Sequence, residues 1–161
     1  MRHLRNGIFG LLLTCVVGIS GCSKGPAAPT FDLVPASGTV TLDGKPLSDA
    51  SVSFVFQSAP PTGFSGSGGQ TDANGKFQVM TDAKIGTIAG NFKVLVSKLT
   101  MPDGSPVKND PASGMDIVQL QMQGQLKENV PEKYTVVETT DQTADVTKDG
   151  KNEFELKLTS Q

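Results

Sequence analysis

The chain has 161 residues, 37% of them hydrophobic, with 14 Lys+Arg against 16 Asp+Glu, no Trp and one His. That balance argues against nucleic acid as a partner and against a basic membrane-binding face. His3, Cys15 and Cys22 all fall in the first 22 residues, so the remainder lacks the residue types for His- or Cys-based metal centres, nucleophile–histidine pairs and thiol chemistry.

Arg2 and Arg5 precede an apolar run from Ile8 to Ile19, which closes on Ile19-Ser20-Gly21-Cys22. A positive start, a short apolar core and small residues at the end predict a secretory signal over residues 1–21. The run is too short to span a bilayer, which takes roughly 20 apolar residues. Ile-Ser-Gly-Cys resembles the bacterial lipobox. That resemblance implies cleavage between Gly21 and Cys22 and acylation of Cys22 with palmitate-type chains. Cys15 would leave with the signal, and the mature chain would have neither a free thiol nor a disulfide. With Arg2 and Arg5 gone, 12 basic residues would face 16 acidic ones, formally −4. Attachment would then rest on acyl chains, each buried methylene contributing about 0.8 kcal/mol. Ser23 stands where an aspartate marks inner-membrane retention in some bacteria, so the outer membrane or cell surface is expected.

Residues 22–36 are Pro-rich and aperiodic, which predicts a flexible tether reaching about 40 Å when extended. From residue 37 to 161 a single domain is expected, and about 120 residues can bury enough surface to be stable unaided. Six segments alternate apolar and polar residues: Val40–Leu42, Val52–Phe56, Phe77–Val79, Phe92–Val96, Ala144–Val146 and Phe154–Leu158. Val55 and Leu95 break the alternation. Period two marks strands with one wet and one buried face. Repeated short strands predict an all-β antiparallel sandwich of about seven strands.

Asp43-Gly44, Asn74-Gly75 and Asp149-Gly150 punctuate these strands, and each is read as a two-residue type I′ hairpin. Asp72-Ala73-Asn74-Gly75 resembles the start of a calcium loop but lacks the closing ligands, so no metal and no cofactor are expected. Residues 58–70 read as an exposed loop without the Lys-Ser/Thr of a phosphate cradle. Over 99–130 the prolines Pro102, Pro106 and Pro111 forbid regular ladders. Met115, Val118, Met122 and Leu126 fit a helical stripe, whereas Val118, Leu120 and Met122 fit a strand; a short helix or irregular excursion is favoured.

Four short motifs together resemble the carboxypeptidase regulatory-like domain. They are Gly38-Thr-Val-Thr-Leu-Asp43-Gly44-Lys-Pro46-Leu running on to Phe54, Thr71-Asp-Ala-Asn74-Gly75-Lys-Phe77, Gly90-Asn-Phe92-Lys-Val94, and Gly150-Lys-Asn-Glu-Phe154. Pro131-Glu-Lys-Tyr134, with Thr139-Thr140 and that Gly150–Phe154 motif, resembles the C-terminal half of small bacterial lipoproteins that carry this domain. The resemblance implies a transthyretin-like Greek-key sandwich and an accessory module without the peptidase zinc ligands. Gly44 and Gly75 would permit turns and Pro46 would fix φ, none of them doing chemistry.

The expected function is therefore non-catalytic: a lipid-anchored interaction or structural module of the cell envelope, with an envelope protein or glycan as partner. A carbohydrate-binding module is the alternative, with Phe64 and Tyr134 as the only candidate exposed rings. Phe64→Ala is expected to leave stability nearly unchanged. A transthyretin-like hydrolase is rejected because that family's histidines and Tyr-Arg-Gly-Ser ending are missing. A Lys–Asn/Asp crosslink is disfavoured because the strand lysines fall on polar faces.

Overall fold

The computed structural model describes residues 29–107 and 117–160. In chain order the first strands are β1 (Ser37–Leu42), β2 (Lys45–Pro46), β3 (Ser51–Phe56), β4 (Ser67–Gln70), β5 (Lys76–Gln78) and β6 (Met80–Thr81). There follow β7 (Lys84–Ile85), β8 (Gly90–Ser97), β9 (Leu99–Thr100), helix α1 (Ile117–Met122) and β10 (Lys127–Glu128). A 3₁₀ turn at Glu132–Tyr134 leads to β11 (Thr143–Val146) and β12 (Glu153–Leu158). Seven of the strands run three residues or more, and each of the six alternating segments contributes one of them.

Two sheets enclose the core. One has β1 at its centre, with β12 on one side and β2 and β5 on the other. The second runs β11-β8-β3-β4-β6-β7, and a small β9–β10 ribbon stands apart. Inward-facing Val40, Phe77, Leu156 and Leu158 of the first sheet join Val52, Phe54, Phe92, Val94, Val96, Ala144 and Val146 of the second in one buried cluster. Val55 and Leu95, out of phase in sequence, are half-buried on the opposite face of the second sheet.

The pairing is not antiparallel throughout. β12 runs parallel to β1, from Ser37 opposite Glu153 to Leu42 opposite Leu158. A parallel pair needs a crossover connection, which here is the chain from β2 through β11, and residues 147–152 complete it by carrying the chain from β11 in one sheet to β12 in the other. Asp149-Gly150 therefore joins two sheets and is not a hairpin, since β11 and β12 pair with different partners. Asn152 holds the corner. Buried at φ 42°, it accepts the Thr147 N–H at 3.0 Å and donates to the carbonyls of Thr147 and Pro35 at 3.0 and 3.3 Å.

The exposed loop expected over 58–70 ends in a strand. Ser67–Gln70 pairs with β3 although Ser-Gly-Gly-Gln has no β propensity. Gly68 and Gly69 belong there because an added Cβ would strike the carbonyls of Val52 and Gln78. Close backbone approach, a contact between distant segments, made this strand.

The expected tether also joins the fold before residue 37. Val34 and Thr87 exchange main-chain hydrogen bonds at 2.7 and 3.0 Å, and Ala36 is buried. Within 99–130 the helix forms over Ile117–Met122, but its apolar stripe is not a core face: Val118 and Met122 are 62% and 84% exposed. Met115 lies outside the described residues.

Candidate functional site

The strand registers give the domain two distinct ends. β1 and β12 begin, at Ser37 and Glu153, where β11 finishes and β8 starts, because Val146 pairs with Gly90 and Asn152 ties Pro35 to Thr147. Residues 29–36 reach the fold at this end. β8 runs from there to Ser97, so the excursion over 98–130 leaves from the opposite end, beside the start of β3, since Ser51 pairs with Ser97.

At that far end a single carboxylate organises the returning chain. Glu128 accepts from the Ser97 hydroxyl at 2.5 Å and from the main-chain N–H groups of Lys98, Asn129 and Val130 at 2.8, 3.0 and 3.0 Å. Asn129 completes the knot, its amide donating to the Thr100 hydroxyl at 2.9 Å and the Lys98 carbonyl at 3.2 Å. Charge-assisted bonds of this kind are stronger than neutral ones. A carboxylate so fully occupied holds structure and is poorly placed to take a proton from a substrate. No sequence signal marked Glu128, because the Lys-Glu-Asn run acquires its meaning only from Ser97 and Lys98, thirty residues earlier.

Beside this knot lies an open cleft of about 620 Å³ with Leu99, Leu126 and Val130 as its apolar lining and Ser97, Glu128 and Glu132 among its polar groups. A smaller one of about 290 Å³ lies nearby, between Asp49, Ser51, Gln70, Ser97, Leu99 and Val107. The larger cleft is mixed, its three apolar residues set among Ser97, Gln121, Glu128, Glu132 and Thr135, and it offers both packing and hydrogen bonds to another molecule.

The residues singled out from sequence fall in several places. Gly21 and Cys22 lie outside the described residues. Asp43 and Gly44 both have positive φ, 50° and 75°, and close the β1–β2 hairpin as a type I′ turn requires. Pro46 sits on β2, an edge strand that tolerates a missing N–H. Gly38 permits Phe77 to cross β1, since a Cβ there would come within 2.8 Å of its ring.

Asn74-Gly75 is not a type I′ pair. Gly75 alone has positive φ, at 72°, and Asp72 and Lys76 bracket a three-residue loop. The Asp72 carboxylate accepts the N–H groups of Asn74 and Lys76 at 2.8 and 2.9 Å, so it shapes the turn. Among the described residues no group of three or more His, Cys, Asp or Glu could hold a metal ion.

Tyr134 is not an exposed ring. It is 2% exposed, packs into the core cluster, and its hydroxyl accepts the Thr159 N–H at 3.0 Å. Burial works to raise this phenol, but hydrogen bonds with Thr159 and Lys133 outweigh it, and the group titrates below 10.0. Phe64 is half-buried between Phe31 and Phe56, meeting each edge to face at 5.4 and 5.5 Å. Asp43 accepts the Ser160 N–H at 3.0 Å, and that hydrogen bond lowers its carboxyl below the ordinary 3.8. Among the described residues no helix is long and apolar enough to cross a membrane. No protein-family model, curated protein or solved structure matches the chain.

Proposed function

We propose that this chain is an exported bacterial lipoprotein, held by acyl chains on Cys22 to the outer membrane or cell surface. Its domain is a transthyretin-like Greek-key sandwich of the carboxypeptidase regulatory-like kind. It serves as a non-catalytic interaction module of the envelope. The observation that carries the reading is the polarity of the molecule. The segment behind the lipobox meets the fold at the start of β1, while the excursion over 98–130 leaves from the opposite end with its cleft and the exposed Met122. An anchor at one end and an open cleft of mixed polar and apolar lining at the other is an arrangement for display.

The carbohydrate-binding alternative gains no support, because every aromatic ring among the described residues is buried or half-buried and a sugar would lack a stacking platform. Cys22→Ala tests the anchor. The variant should fold, lose its acyl mass by intact-protein mass spectrometry, and move to the aqueous phase in detergent partitioning. A Cys22→Ala protein that stays with the detergent phase would overturn the proposal. Envelope proteins captured by the wild type and released by Leu126→Asp would place the contact at the far end.

A further inference from the structure

β12 is an open edge. In its parallel pairing with β1, alternate residues turn their main-chain groups inward: Asn152 and Leu158 accept the N–H groups of Ser37 and Asp43, each at 3.0 Å. By the same alternation Glu153, Glu155 and Lys157 direct their N–H and C=O groups away from β1. Among the described residues no strand pairs with that side. The next outward N–H, that of Thr159, is taken by the Tyr134 hydroxyl, so the free stretch ends there.

Natural edges are guarded by proline, bulges, inward charges, charged side chains along the edge or very short strands. β12 has six residues and no proline, and its inward side chains are Phe154, Leu156 and Leu158. Its outward charges read Glu153, Glu155, Lys157, and the last two pair within the strand at 2.9 Å while remaining 72% and 76% exposed. That order is complementary to itself. If two β12 strands run antiparallel about Leu156, Glu155 of each copy stands opposite Lys157 of the other and Leu156 opposite Leu156. The four main-chain groups of Glu155 and Lys157 then find partners across the seam. A register centred on Glu155 instead sets Glu155 against Glu155, which like-charge repulsion disfavours.

We propose that the β12 edge is a self-association surface, joining a second copy of this chain by antiparallel strand addition centred on Leu156. The pair has two-fold symmetry, each patch contacting its own equivalent. It extends one sheet across both copies, and because the two tethers leave from opposite ends, a pair held in one membrane has one tether running back along the domain. It requires no lipid, so its failure would leave the anchor reading untouched.

The test is sedimentation equilibrium of the full-length protein in detergent at micromolar concentrations. Wild type should form dimers. Lys157→Glu sets Glu155 against glutamate twice and should weaken association about tenfold or more. The charge-swapped variant, Glu155→Lys with Lys157→Glu, should restore it. All of these side chains are exposed, so folding should be unaffected, which circular dichroism can check. A monomeric wild type, a Lys157→Glu protein that associates as wild type does, or a charge swap that fails to restore pairing would each overturn the proposal.

Discussion

Phe31 meets Phe64 edge to face, with ring centroids 5.4 Å apart and planes at 87°. The contact begins a continuous aromatic chain. Phe64 meets Phe56, Phe56 meets Phe92 at 4.3 Å, and Phe92 meets Phe54, which also touches Phe77 and Phe154. A ring outside the predicted domain is thereby coupled to the centre of the sandwich. Phe64→Ala removes two edge-on pairs, each contributing about 0.5–1.5 kcal/mol. The variant should therefore unfold at lower denaturant by about 1–3 kcal/mol, against the near-zero change expected from sequence. An unchanged midpoint would refute the coupling.

Phe54 touches three rings from both sheets and is 2% exposed. Phe54→Ala should destabilise by about 3–5 kcal/mol through lost burial and a residual cavity. Thermal unfolding should rank it well below Phe64→Ala. The reverse order would mean that the core is centred elsewhere.

Asn152 combines two roles that substitution can separate. Asn152→Gly keeps the left-handed backbone but strands the Thr147 N–H and two carbonyls, whereas Asn152→Ala also forces a Cβ into φ 42°. Loss of the bonds should cost about 1–3 kcal/mol, and the alanine about 1 kcal/mol more than the glycine. Equal stabilities would show that backbone strain contributes nothing at this corner.

The Asp43 carboxylate gives the C-terminal segment a pH dependence. Its folded value lies below the ordinary 3.8, so its contribution is complete above 3.8 and is lost as pH falls through the folded value. Amide exchange at Ser160 should quicken over that acid range in the wild type. Asp43→Asn should flatten the dependence, and a variant with the same acid profile would assign the effect to another group.

Periodicity made much of the core legible: Val40, Val52, Phe54, Phe77, Phe92, Val94, Val96 and Leu156 all face inward as their parity predicts. The Asp43-Gly44 turn was legible for a similar reason, since positive φ at two successive positions is a local demand that residue type answers. Other features depend on partners far away in sequence. β4 exists because two glycines let Val52 and Gln78 approach, and Glu128 matters because Ser97 and Lys98 aim donors at it. Tyr134 looked free for want of a visible neighbour, and Thr159 proved to be that neighbour.

The amino-acid order thus determined which residues point inward and where the tightest turn falls, because alternation and backbone dihedrals act within a few residues. Only the tertiary structure decided that β12 lies parallel to β1, that its other side pairs with no strand among the described residues, and where residues 29–36 dock. Those outcomes follow from contacts between segments a hundred residues apart, such as Pro35 with Asn152, whose geometry no local pattern encodes.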